Sequence, residues 1–210
     1  MAEDGAKGLS HLKVDAHAGV PDGTTSFYFR TRSALLRAVA DRIVELDLAT
    51  LQSVADSAGV GDAASAMFAS TLSKVVIQSG EEPQLIRTKA RYELTMQATR
   101  DPAMAATLER ATQAFTKLHH DIVVQLLPHG ADLDPAVVDD LTNVTLTFIN
   151  GLLLRFAHGD RIIDNPEQLD GVLSAIVAGI LHSKHRGRLT HDGASLQPRR
   201  RRSQGSGPTV

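Results

Sequence analysis

Along most of the chain Ala, Leu, Val and Ile recur at intervals of three and four residues, with charged residues between them. That is the period of amphipathic helices. No convincing alternating strand and no internal repeat interrupts it, so the fold class read here is all-α. Proline and glycine cut the pattern into blocks of helical length. The first runs from Ser10 to Ala18 and stops at Gly19. A second, short block follows Gly23, or begins earlier at Pro21 or Asp22, and ends near Phe29. Thr31 then reads as the N-cap of a long helix from Arg32 to about Ser57, with Ser33 as the alternative cap. Ala58-Gly59-Val60-Gly61 closes it, and Asp62 caps a helix to about Gln78. Glu81-Glu82-Pro83 opens the next, with acids where the helix dipole favours them, ending near Arg100. Asp101-Pro102, Asp134-Pro135 and Asn165-Pro166 are three cap-plus-proline starts. They predict helices to about Leu127, His158 and Ser183. The total is eight or nine helices. A boundary near residue 45, inside the long helix, separates a small N-terminal region (1–45) from a larger helical region (46–184). The polar, basic stretch 185–210 reads as a disordered tail.

Composition narrows the chemistry. The 210 residues are 42% hydrophobic, enough to bury a core. The absence of cysteine excludes disulfides, thiolate metal sites and a cysteine nucleophile. The N-terminal MAEDGAKGLS has no apolar segment of signal-peptide kind, and no apolar run reaches about 18 residues, so a cytoplasmic protein without a membrane role is expected. The net charge of −2 is unevenly placed: residues 184–210 carry seven Lys/Arg and one acid, which leaves the body strongly acidic. The run Arg199 to Arg202 is by default a solvated charge cluster that could add salt-sensitive phosphate contacts.

Three of the eight aromatic residues stand together in AGVPDGTTSFYF, Ala18 to Phe29. Two short helices joined at Gly19, where a tight turn needs a positive φ, have the shape of a helix-turn-helix corner. Val14, Ala18 and Val20 would form its apolar inner side. The small polar leading end of the second helix, Asp22-Gly23-Thr24-Thr25-Ser26, could approach a phosphate backbone closely. Tyr28 could donate to a phosphate while Phe27 or Phe29 packs inward, and Arg30 and Arg32 could reach the neighbouring strand.

On these residues the stretch VDAHAGVPDGTTSFYFRTRSALLRAV resembles the second half of the DNA-binding region of the TetR family of transcriptional regulators. The resemblance covers roughly residues 8–45; the later helices agree in number and length. It implies a homodimer with a recognition helix in the major groove of operator DNA, expected to be palindromic, and a C-terminal domain that binds a small-molecule effector. Carried over, Gly19 matches the turn glycine and Val20 the buried residue after it. Pro21, Asp22, Gly23, Thr24, Thr25 and Ser26 take the DNA-facing positions, and Tyr28 a phosphate-contacting one. Phe29 matches the buried Phe, Arg32 the basic residue opening the next helix, and Leu35 and Leu36 its anchoring pair. Family members carry a full helix before this motif, whereas about nine residues precede it here. Leu9, Leu12 and Val14 should therefore be partly bare. Asp15 stands where the family has a small apolar residue and is expected to cap or to stay wet. Residues 1–32 hold four Lys/Arg and four Asp/Glu, a neutral balance where a DNA face should be basic.

Arg87, Arg91, Tyr92, Glu93 and Met96 wind over adjoining faces of one helix. Tyr92 and Glu93 are candidate polar hooks of an effector pocket walled by Phe68, Leu72, Met96, Met104, Leu108, Phe115 and Phe148. The alternative is that the charged residues form surface ion pairs and the apolar ones fill core. Leu141, Val144, Phe148 and Leu152 on one late helix, and Val172, Ile176 and Ile180 on the other, are candidates for a four-helix dimer interface. Gly151 and Gly179 would allow close approach. His119 and His120 diverge by about 100° on a helix and cannot together bind one ion; no metal or other cofactor and no catalytic motif is expected. The reading is a ligand-responsive DNA-binding regulator, a repressor by expectation and not an enzyme. The alternative is a ligand-binding and dimerisation module that has lost specific DNA binding.

Overall fold

The computed structural model describes the backbone of residues 1, 4–56, 62–127 and 134–193, and the side chains of all these except 62–68, 126 and 184–193. After a single 3-10 turn (Gly5–Gly8) come α1 (His11–Ala18), α2 (Thr24–Tyr28), α3 (Arg32–Asp56), α4 (Asp62–Gln78), α5 (Gln84–Ala98), α6 (Pro102–Leu126), α7 (Pro135–Ala157) and α8 (Pro166–Gly193). The expected all-α fold, a small helix-turn-helix head and a larger helical body, is what the chain forms.

Local chemistry places most helix starts. The Thr31 hydroxyl accepts from Ala34 N (3.1 Å). The Asp101 carboxylate accepts from Ala103 N and Met104 N (3.0 and 3.1 Å). Asp134 accepts from Ala136 N (3.0 Å) and Asn165 from Gln168 N (2.8 Å). Each such cap satisfies N–H groups that the helix cannot, and contributes about 1 kcal/mol. The second helix begins at Thr24, the later of its expected starts. Two boundaries depart from the sequence reading. Helix α5 begins at Gln84, so Glu81 and Glu82 precede it. Helix α8 continues ten residues past Ser183, into the stretch read as disordered. The remainder of the tail, 194–210, with Arg199 to Arg202, lies outside the described residues, as do the breaks at 58–61 and 128–130.

Helix α3 joins head to body without a break. Its inward face, Leu36, Ala40 and Ile43, packs with Ala90 and Leu94 of α5 and Met104 of α6, and the N-terminal Met1 and Leu9 lie against the same cluster. Met104 and Leu108 belong to this core and its edge, which removes them from the expected pocket wall. A second core centres on Phe156, with Leu72, Val76, Ile122, Leu153 and Leu169. A Cβ at Gly80 would lie 2.7 Å from the Phe156 ring, so the turn between α4 and α5 closes onto that ring only with glycine. A third cluster joins Val123, Val137 and Leu141 to Val177 and Ile180 of α8. Of the described helices, α7 has the length and mean hydropathy (1.2) of a membrane span, which the search for apolar runs did not anticipate. Its apolar side chains Leu141, Ile149, Leu152 and Phe156 are buried among neighbouring helices.

Candidate functional site

The head is built around one carboxylate. Helix α1 ends where Gly19 turns left-handed (φ 66°), and Val20 N donates back to Asp15 O (3.1 Å). The chain then loops so that the start of α2 lies over Asp15. Asp15 Oδ2 accepts from Gly23 N (2.9 Å) and Oδ1 from Thr25 N (2.7 Å) and from the Thr25 hydroxyl. The Asp15 side chain is fully buried. It caps α2 from the preceding helix, as one of the two expected outcomes required. The Thr25 hydroxyl holds its pKa below the usual carboxylate range against the opposing effect of burial, with help from the Thr25 and Gly23 N–H groups and His11. The His11 Nε2–H donates to the Phe29 carbonyl (2.6 Å), fastening the start of α1 to the end of α2.

This lock sorts the residues expected to face DNA. Pro21, Asp22, Gly23, Ser26 and Tyr28 are exposed and Thr24 is half-exposed. Thr25 points inward, its hydroxyl given to Asp15, so its side chain does not belong to the outer face. Arg32 donates through Nη2 to the Ala6 carbonyl and holds the N-terminal turn. Phe27 and Tyr28 are 73% and 71% exposed, edge to face with ring centroids 5.3 Å apart, while Phe29 is the half-buried one. The expected apolar inner side is incomplete: Val14 is half-buried, but Ala18 and Val20 are exposed, because the contact between α1 and α2 is made by Asp15 instead. Leu12 is 62% exposed and Leu9 and Val14 are half-buried, as expected.

The body holds a cavity of about 110 Å³ among α3 to α7. Leu72 and Phe115 line it, as expected, with Leu51, Val75, Leu146 and Ile149. The other predicted pocket residues do not. Tyr92 packs at the edge of the Phe156 core and its hydroxyl donates to Asn150 O (2.6 Å); burial pushes its pKa up. Glu93 turns toward the head, accepting from Ala6 N (3.0 Å) and Gln97 Nε2 (3.1 Å). Met96 is 64% exposed, Phe148 packs on the Phe156 core, and the Phe68 side chain lies outside the described residues.

The polar groups of the cavity are Asp47, Arg87, Arg91 and His119, with Thr50, Ser79 and Asn150. Asp47 Oδ1 lies 2.9 Å from Arg87 Nε and Oδ2 3.1 Å from Arg91 Nε. Burial pushes the Asp47 pKa up although both guanidinium groups pull it down. Sequence reasoning passed over Asp47, yet a signal was present: it falls in phase with Leu36, Ala40, Ile43 and Val54 on the buried face of α3. Arg87 and Arg91 do form ion pairs, but inside the body. His119 is buried and its Nε2 pairs with Thr145 Oγ1 (2.8 Å). Its neighbour His120 faces outward, 3.6 Å from Asp121. A smaller apolar cavity of about 50 Å³ lies beyond His119, toward Leu173 and Val177 of α8.

Of the residues expected at a subunit interface, Leu141 and Leu152 are buried within the chain (0% and 3% exposed) and cannot serve. They occupy the inward phase of α7. Val144 is exposed, and Phe148, Val172, Ile176 and Ile180 are half-exposed. Gly151, Leu154 and Gly179 share that outer face.

Residues 65–183 match the family described as "Tetracyclin repressor-like, C-terminal domain". The crystal structure of a TetR-family transcriptional regulator from Rhodococcus sp. is similar over 85% of this chain and 91% of that one, with a TM-score of 0.59 and 22% identity. GusR of Salmonella enterica is similar over 84% and 88%, with a TM-score of 0.58 and 18% identity. At these identities the likeness is one of fold. No curated protein sequence matches the chain.

Proposed function

That the chain belongs to the TetR family of transcriptional regulators is the premise from which we propose that it is a homodimeric repressor released from DNA by a small molecule. The observation that carries this reading is the corner at Gly19, where the Asp15 lock presents Pro21, Asp22 and Gly23 of the loop and Ser26 and Tyr28 of the short α2 outward. In the major groove, the Asp22, Thr24, Ser26 and Tyr28 side chains would meet base edges and phosphates, the Gly23 and Thr25 N–H groups being taken by Asp15. Two copies would read half-sites about 34 Å apart. The outer face of α7 and α8, with Val144, Leu154, Val172 and Ile176, would join them. The cavity among α3 to α7 would hold the effector, which must favour one spacing of the heads to shift the population.

Fluorescence anisotropy on DNA from just upstream of the gene, with scrambled competitor at ~150 mM salt, tests this. Competitor-resistant binding is expected, weakened on the order of tenfold by Asp15→Ala, which leaves the start of α2 uncapped. A second reading, a ligand-binding and dimerisation module without specific DNA binding, is favoured by the commitment of two basic groups of the head. Lys13 pairs with Asp4 (3.3 Å) and Arg32 with the Ala6 carbonyl. Binding that vanishes with competitor would select that reading and sink the first.

A further inference from the structure

The polar end of the cavity carries charge of one sign in excess. Arg87 and Arg91, four residues apart on one face of α5, both turn to Asp47 on α3. Two guanidinium groups thus face one carboxylate, and no other Asp, Glu, Lys or Arg among the described residues lines the cavity. His119, on α6, is held neutral by burial, its pKa pushed down to about 4. The internal pairing is also imperfect. The separations are short, but the N–H bonds are not directed at the carboxylate. Arg87 Nε, Arg91 Nε and Asp47 Oδ2 are therefore buried without an aligned hydrogen bond, a condition that native interiors rarely leave standing. Asp47 is the only polar partner of the Arg87 side chain among the described residues.

A second carboxylate would supply both the missing charge and the missing acceptors. Its two coplanar oxygens match the fork of guanidinium donors. A cation would add to the positive excess, and a neutral guest would leave it uncompensated at low dielectric. The apolar walls fix the rest of the guest. About 110 Å³ is of the order of the cavity that admits benzene, so the body is one ring or a chain of about six carbons. We propose that the effector is a small organic monocarboxylate, its carboxylate bound by Arg87 and Arg91 beside Asp47 and its apolar body against Leu72, Phe115 and Ile149. This rests on the reading of the cavity as the effector site.

Titration calorimetry of the full chain, without DNA, uses benzoate and hexanoate against benzamide and benzylamine. The acids are expected to bind, benzamide on the order of tenfold more weakly, and benzylamine not at all. Asp47→Asn keeps the shape and removes the competing carboxylate, so it should tighten benzoate several-fold. Arg87→Met should weaken benzoate on the order of tenfold, with thermal melts confirming that both variants fold. Benzylamine binding more tightly than benzoate, weaker benzoate binding in Asp47→Asn, or neither acid binding at ~10 mM would overturn the proposal. Because no DNA is present, acids that fail beside intact operator binding remove the anionic effector and leave the regulator reading in place. Acids that bind beside absent operator binding do the reverse.

Discussion

His119 shows how one side chain can set a pH limit on the fold. The Thr145 hydroxyl gives its own proton to Leu141 O (2.7 Å), so at His119 it accepts, and Nε2 is the protonated nitrogen. Burial pushes the pKa from 6.5 to about 4. Between those values the unfolded chain takes up a proton that the folded chain refuses. The stability this neutral ring contributes is therefore complete above pH 6.5 and is lost as pH falls toward 4, by about 3 kcal/mol in all. In urea titrations, wild type should lose that much more than His119→Gln over this window, and the two should run parallel above pH 7. Asp15 and Asp101, whose pKa values are lowered, also lose stability on acidification, below the ordinary carboxylate value and equally in both proteins. Parallel curves throughout would mean that the ring protonates freely.

Helix α5 serves two places at once. Arg87 and Arg91 face the cavity, while Glu93, two residues past Arg91, holds Ala6 of the N-terminal turn. Just past its end, Asp101 accepts from the Ser33 hydroxyl (2.6 Å) and pairs with Arg37 (3.7 Å) at the start of α3. Removing the Glu93 acceptor should cost about 1 kcal/mol of contact between head and body. Glu93→Ala should therefore lower operator affinity about fivefold with effector affinity unchanged, and Glu93→Gln, which keeps an acceptor oxygen, should restore it. An equal loss in both variants would place the effect elsewhere. The double duty of α5 was not legible in the sequence. Caps such as Thr31, Asp101 and Asp134 were, because a cap involves residues two or three apart. Glu93 and Ala6 are 87 positions apart, and no local pattern says that a glutamate beside Tyr92 points away from a pocket. Asp47 was half legible, through its phase on α3. Leu141 and Leu152 were misassigned because an apolar stripe shows that a helix buries a face without showing what buries it.

For the whole molecule, the proposed function rests on the outer face of α7 as the contact between two copies. Val144 and Leu154 are 44% and 42% exposed, so charging them should leave the monomer core intact. The pair Val144→Glu and Leu154→Glu should convert a dimer to a monomer by light scattering and lower operator affinity more than tenfold, since one half-site alone remains. A double variant that stays dimeric would move the interface off α7. The unbroken course of α3 adds a mechanical consequence. Arg32, beside α2, and Asp47, at the cavity, are fifteen residues apart on one helix, a rigid rod of about 22 Å. A tilt of about 5° pivoting at Asp47 would sweep the far end through about 2 Å. On the proposed function the carboxylate thus sits at the fulcrum of a lever arm, and a small rearrangement there would arrive at the DNA magnified by length alone.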